Sequence, residues 1–461
     1  MTAITRQATV SSSSAQTQRG RYLTNVGAVL SGQAANIVVA LLLEICYARI
    51  LGPGPRGQIS LCMMTIAFGA LLAGLGADIP IVIWRADRRR NISEWIRPIL
   101  LWGFFGCALF AILWSEFFFR WSAEFLHGVT PQLFRLILLT VPCAVLFTYA
   151  IAVMTGAERF RERAAMGLTV SAVGLCSFLA LAFTLGKTAE AALWGNFLGI
   201  AVGLMVACIF LREEFQKREK IPDDLQLTKG LLTGLRGQAG NIAAFFNYRL
   251  DVFVVNYFLD AAQVGLYSLG VAISEVLWQI PAAAAVALFP RTARTVEEGA
   301  TEFTCKILRH VLLISCATGA LLAIASPIAV PLIFGARFSS SVAVIWRILP
   351  GTIALALAKI ASSDLAARHK TGYASAFGAI ALVVTVELDF LLIPRMGING
   401  AAIASSVAYL VNTGLLLGAV KRELGVRWSD LLVPQKSEFA AYRSAWVSLR
   451  SRAGLLNSLQ S

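Results

Sequence analysis

The chain has 461 residues, of which 57% are hydrophobic and 14% charged, with a formal net charge of +14 and a mean hydropathy of +0.71. A soluble domain carries about 25% charged residues, so the polar surface needed to keep this chain in water is missing. The basic excess does not form a nucleic-acid face either: it sits in short runs such as Arg85–Arg90 and Arg212–Lys220 that flank apolar stretches.

Those apolar stretches are long enough to cross about 30 Å of hydrocarbon as helix, which defines an all-α polytopic membrane protein. In chain order the predicted spans cover 25–47, 59–84, 98–119, 133–155, 166–186, 191–211, 235–259, 263–290, 306–332, 341–361, 374–394 and 398–420. The segment before them, 1–24, holds Ser11–Ser14 and three arginines but no apolar core of a signal peptide, so it reads as a disordered cytoplasmic tail. Residues 25–211 form one expected six-helix lobe, 212–234 a cytoplasmic linker, 235–420 a second lobe, and 421–461 a cytoplasmic tail. Within that last tail Phe439, Tyr442, Trp446, Leu449, Ala453 and Leu456 recur at near-helical spacing between arginines. That pattern suits either an amphipathic helix on an anionic leaflet or a disordered basic tail.

Orientation follows from the loop charges. With the N-terminus cytoplasmic, roughly 30 Lys and Arg fall inside and about 6 outside, and every inside loop is richer than its outside neighbours. The outside group is Arg49, Arg56, Arg120, Lys187, Arg337 and Arg395. The eight cysteines lie nearly all in or at the ends of apolar segments, with no CxxC among them, and read as small membrane hydrophobes.

An internal repeat organises the spans. Gly32-Gln33-Ala34-Ala35-Asn36-Ile37 in the first span is answered by Gly237-Gln238-Ala239-Gly240-Asn241-Ile242 in the seventh, 205 residues on. Gly57-Gln58-Ile59-Ser60-Leu61 is answered at 208 residues by Gly265-Leu266-Tyr267-Ser268-Leu269, and Pro142 by Pro350. Six spans per copy is an even number, so the repeats are parallel and related by an axis along the membrane normal, with a central cavity expected between them. The two prolines each remove a helical hydrogen bond, giving either a matched functional bend or a static packing kink.

Ala48-Arg49-Ile50-Leu51-Gly52-Pro53 followed by Gly57-Gln58-Ile59-Ser60-Leu61, together with Tyr248-Arg249-Leu250-Asp251, Val264-Gly265-Leu266-Tyr267-Ser268 and Leu288-Phe289-Pro290-Arg291, resembles the polysaccharide (O-antigen type) flippases of the multidrug/oligosaccharidyl-lipid/polysaccharide exporter superfamily. The resemblance extends over about 25–420. It implies a V-shaped pair of six-helix lobes working by alternating access. The implied cargo is a polyprenyl-diphosphate-linked oligosaccharide, an O-antigen, capsule or exopolysaccharide repeat unit, moved from the cytoplasmic to the periplasmic leaflet of the bacterial inner membrane. Membrane lipids and the polymerase and glycosyltransferases of the same pathway are the implied partners, with no nucleic acid.

Charge inside a bilayer costs at least about 2.5–3.5 kcal/mol, so each survivor needs a partner or a wet cavity. Arg249 and Asp251 fall on the seventh span and Glu275 on the eighth, with Arg249 and Glu275 at similar depth and able to pair. Arg347 and Lys359 lie on the tenth. Cations facing a cavity suit a diphosphate, and Gln33, Asn36, Gln238, Asn241, Asn247 and Gln279 suit sugar hydroxyls. The other reading of the amides is that they tie helices together, as the recurrence of the Gln/Asn pair in both repeats suggests. Glu44 sits near a span end and carries little signal; Asp78 and Asp364 belong to the cytoplasmic interface. No metal constellation, nucleophile–base arrangement or Walker loop is present, so no enzymatic activity or cofactor is expected. A cation-coupled drug or metabolite antiporter of the same fold is the competing reading; it calls for an acidic site in the first lobe. A membrane glycosyltransferase is disfavoured by the short outside loops.

Overall fold

The computed structural model describes residues 35–86, 95–216, 224–278, 281 and 300–434, nearly all of them helical, with no strand among them. The helices are α1 (35–51), α2 (Pro53–Ala73), α3 (Asp78–Ala86), α4 (Ile96–Phe125), α5 (Pro131–Gly156), α6 (Phe160–Thr184), α7 (Ala189–Gln216) and α8 (Asp224–Phe258). They continue with α9 (Ala261–Glu275), α10 (Ala300–Phe334), α11 (Ser341–Ala367), α12 (Gly372–Met396), α13 (Ile398–Leu424) and the short α14 (Trp428–Leu432). Ten stretches among the described residues are long and apolar enough to cross a membrane. The other two expected spans are α1, described from residue 35, and α8, whose apolar run is diluted by Lys229, Arg236, Arg249 and Asp251. The chain is a multi-pass membrane protein with the twelve-span organisation read from its sequence.

Two boundaries need correcting. The second span, expected to run unbroken over 59–84, is two helices separated by a turn at Gly74–Ala77. Helix also extends well into the stretch expected as linker, α7 to Gln216 and α8 from Asp224, because helix ends continue past the hydrocarbon. Gln33, Gln279, the Leu288–Arg291 motif and the amphipathic pattern over 439–456 lie outside the described residues.

The helices pack into two compact units. One holds the chain up to Ser268 together with Val330–Ser339; the other holds Leu269–Ala329 and the chain from Ser340 on. In the first unit α7 packs along both α6 and α5, closely enough for Gly195 and Gly199 to meet the backbone of α6 at Gly174 and Val170. Small residues permit this approach where lipid supplies no hydrophobic drive. Aromatic rings fill the space where α2, α4 and α8 meet: Phe68 stacks on Phe245 at 5.3 Å and Trp114 on Phe110 at 5.5 Å. The opposite side of α4 carries Leu101, Phe104, Ile112 and Phe119, all more than 60% exposed, as befits a surface that faces acyl chains.

The second unit repeats the pattern with α13 packed along α12 and α11. Gly351 fits against Ser406, whose hydroxyl accepts the Gly351 N–H at 2.8 Å directly after Pro350. Gly397, at φ +60, joins α12 to α13 with no intervening loop, a backbone conformation that residues with a Cβ rarely adopt.

Candidate functional site

The charged residues predicted inside the membrane have distinct environments. Arg249 is half-buried on α8 in the first unit, and Glu275 is half-buried at the end of α9 in the second. Asp251 is buried on α8, where its carboxylate accepts the Tyr267 hydroxyl of α9 and the backbone N–H of Val252 at 2.8 Å. In the second unit Lys359 lies with its Nζ 4.0 Å from the centre of the Trp278 ring, a cation–π contact. Arg347, half-buried on α11, donates to the Ala343 carbonyl one turn back at 2.9 Å.

Two of the predicted amides, Asn36 and Gln238, bridge helices. Asn36 on α1 accepts the Ser171 hydroxyl of α6 at 2.8 Å. Gln238 on α8 is buried and donates to the Leu71 carbonyl of α2, while its own carbonyl accepts Asn241 Nδ2 at 3.1 Å. Asn247 is half-buried on α8.

The break in the second span is a built feature. Leu75 and Gly76 take positive φ values of 46° and 70°, which turns the chain out of helix and interrupts its regular ladder of hydrogen bonds. Three carbonyls here accept side-chain donors: Leu71 from Gln238, Gly74 from the Tyr149 hydroxyl of α5 at 2.9 Å beside the backbone N–H of Ala77 at 3.0 Å, and Leu75 from Trp102 Nε1 of α4 at 3.5 Å. At the same turn Gly76 meets Gly234 of α8 backbone to backbone, so a Cβ on either would overlap the other's carbonyl. Trp84 lies against Gly230, one turn earlier in α8.

A second crossing lies at the other end of that span, about 28 Å away at 1.5 Å per helical residue. Here α2 and α9 touch through repeat-equivalent positions. A Cβ on Gly57 would overlap the Ala261 carbonyl and sit 2.9 Å from Gly265 N; one on Gly265 would overlap the Pro53 carbonyl and sit 3.1 Å from Gly57 N. Ser60 and Ser268 share a hydrogen bond at 2.9 Å. Pro53, Gly57 and Ser60 correspond to Ala261, Gly265 and Ser268 at the 208-residue offset, so the contact is reciprocal, as across a two-fold axis. One element breaks the symmetry. Arg56, 3% exposed, donates to the Gly265 carbonyl at 2.9 Å, to Ser268 Oγ at 2.7 Å and to the Glu44 carboxylate of α1 at 2.8 Å; its repeat counterpart is Val264.

Sequence reasoning missed this pair. Loop charge assigns Arg56 to the outside and Glu44 to a span end, yet the two form a buried-cation pair within one helical hairpin. The available signal was a charge standing beside the repeated Gly57–Leu61 block in only one copy.

The model of the polysaccharide biosynthesis protein family matches residues 22–296, more than half of the chain, and spans both crossings. The chain belongs to that family. A curated relative in Haloferax volcanii, described as the probable low-salt glycan biosynthesis flippase Agl15, is 24% identical over 180 residues; that match covers 38% of this chain and 38% of the relative's length. Among solved structures, the lipid II flippase MurJ in an inward closed conformation superposes with a TM-score of 0.71 at 13% identity, covering 85% of this chain and 87% of that one. An inward-facing multidrug resistance MATE family transporter of the MOP superfamily gives 0.68 at 12% identity, covering 86% and 98%. A mutant form of the MATE transporter VcmN of Vibrio cholerae gives 0.61 at 16%, covering 88% and 98%. These likenesses establish the fold, and it is the polytopic transporter fold of two six-helix repeats expected from the sequence.

Proposed function

We propose that this family member is a flippase that moves a polyprenyl-diphosphate-linked oligosaccharide from the cytoplasmic to the outer leaflet of the plasma membrane, with both termini cytoplasmic and the repeats acting as alternately opening lobes, 25–211 and 235–420. The observation that carries this reading is family membership in polysaccharide biosynthesis joined to a transporter fold. The named relative, a probable glycan biosynthesis flippase, supports it. Arg249, Arg347 and Lys359 supply cations for the diphosphate; Asp251, Glu275 and the amides Gln33, Asn36, Gln238, Asn241 and Asn247 supply polar contacts to sugar. The polymerase and glycosyltransferases that make and consume such a cargo are its natural partners.

The antiporter reading draws on the likeness to MATE transporters. It calls for a titratable acid in the first lobe, and Glu44, one of the two candidates there, is already engaged by Arg56. That occupancy favours the flippase.

Reconstitution into liposomes with a fluorescent polyprenyl-diphosphate oligosaccharide tests the proposal. Leaflet exchange by the wild type that falls about tenfold or more in Lys359→Ala, with folding intact, is the expected result, matching loss of one charge-assisted contact. No exchange by the wild type, but export of small cations down an imposed pH or sodium gradient, replaces the flippase with the antiporter.

A further inference from the structure

We propose that the α2–α9 crossing is the outer closure of the transport path, and that Arg56 is the latch that holds it shut. The inference rests on the flippase reading for its orientation and extends it to the residues that gate the outer side. In that orientation α2 and α9 both begin at the outer face, which puts Gly57 and Gly265, each four residues into its helix, toward the outer end of the path.

Three features distinguish this crossing from ordinary helix packing. It joins the two repeats at equivalent positions, so it lies on their symmetry axis, where a path between them must be sealed or opened. It is made of backbone-to-backbone glycine contact and a shared hydroxyl hydrogen bond, which can separate without unpacking large side chains. Its charged interaction is asymmetric. Arg56 stays with the first repeat through Glu44, while its bonds to Gly265 and Ser268 reach the second repeat and are lost when the helices part. A guanidinium released this way keeps its charge partner, so the closed and open forms differ by two hydrogen bonds and not by an unpaired buried charge.

The Gly76–Gly234 crossing is its counterpart at the inner end. It too joins the repeats through facing glycines and a side-chain bond, here from the neutral amide of Gln238 to the Leu71 carbonyl. Loosening the outer crossing and loosening the inner one therefore push the conformational equilibrium in opposite directions.

The test uses the full-length protein in liposomes, in a cysteine-depleted background that retains transport. Ser60→Cys reports opening by its labelling rate with a membrane-impermeant maleimide added outside. Adding Arg56→Met raises that rate about tenfold, the population shift expected from lost charge-assisted hydrogen bonds, and Arg56→Lys raises it less. Adding Gly234→Leu, which props the inner crossing apart, lowers it. Equal rates in all three overturn the proposal. Ser60→Cys with Ser268→Cys gives a second readout that needs no loosened variant: oxidation to the disulfide stops leaflet exchange and reduction restores it. Parental exchange with the bridge formed means the crossing never opens, which also overturns the proposal. Labelling involves no cargo, so failure of the wild type to move a lipid-linked oligosaccharide counts against the flippase reading alone.

Discussion

Asp251 and Tyr267 show how a membrane interior treats a single carboxylate. The acid is buried, and the hydroxyl of the neighbouring helix is one of the donors that make its burial tolerable. Tyr267→Phe removes that donor without changing the shape of the ring, and a cost of about 1–3 kcal/mol is expected, read as a fall in unfolding temperature in detergent. A neutral result would mean that the remaining partners of Asp251 suffice. Glycines give a second contrast at this scale. Gly76 combines a φ of +70° with direct contact to Gly234, whereas a Cβ on Gly240 meets nothing within 4 Å. Gly76→Ala is therefore expected to destabilise, while Gly240→Ala on helical α8 stabilises by up to about 1 kcal/mol. Parallel thermal melts of the two variants check the sign of each.

Among the elements, the α2–α3 break depends on three side chains drawn from α4, α5 and α8, none adjacent to it in sequence. Tyr149→Phe removes the side-chain donor to the Gly74 carbonyl and leaves only the Ala77 N–H to hold the turn, and faster amide exchange confined to residues around 74–78 is the expected signature. The short α14 is held by a different chemistry. Its backbone carbonyl at Asp430 accepts Arg309, a buried arginine of α10, and Leu431 is fully buried beneath it. The Asp430 carboxylate accepts the Arg427 N–H at 3.0 Å, and chiefly that bond holds its pKa below the ordinary carboxylate value. A lowered pKa contributes stability that is present at neutral pH and lost as pH falls through the folded-state value, below 3.8. Proteolytic cleavage near α14 should thus accelerate only in strong acid for the wild type, and already at pH 7 for Asp430→Ala.

For the whole molecule, the testable statement is topology. Cysteines placed at Gln16 and Gln435 are expected to react only with reagents that reach the cytoplasm, and one at Lys187 only with reagents outside. Reaction of Lys187→Cys from the cytoplasmic side would invert the orientation and with it the direction of the proposed flip. The two repeats are parallel because each has an even number of spans, so a reversed result for one loop reverses them all.

The spans were legible because hydrocarbon imposes a length and an apolar composition that survive in one dimension. The repeat was legible because Gly57 and Gly265, or Pro142 and Pro350, answer local backbone demands that recur in each copy. The break at Gly74–Ala77 was hidden, since a turn whose carbonyls accept side-chain donors from the distant Trp102, Tyr149 and Gln238 can keep an apolar sequence throughout. The role of Arg56 was hidden for a related reason: hydropathy assigns a charge near a span end to water, and only the approach of α9 to α2 buries it. Fold class and repeat symmetry thus follow from the solvent each segment must inhabit, which the sequence alone determines. Which polar groups meet is decided by contacts between 27 and 209 residues apart, and those exist only once the helices have packed.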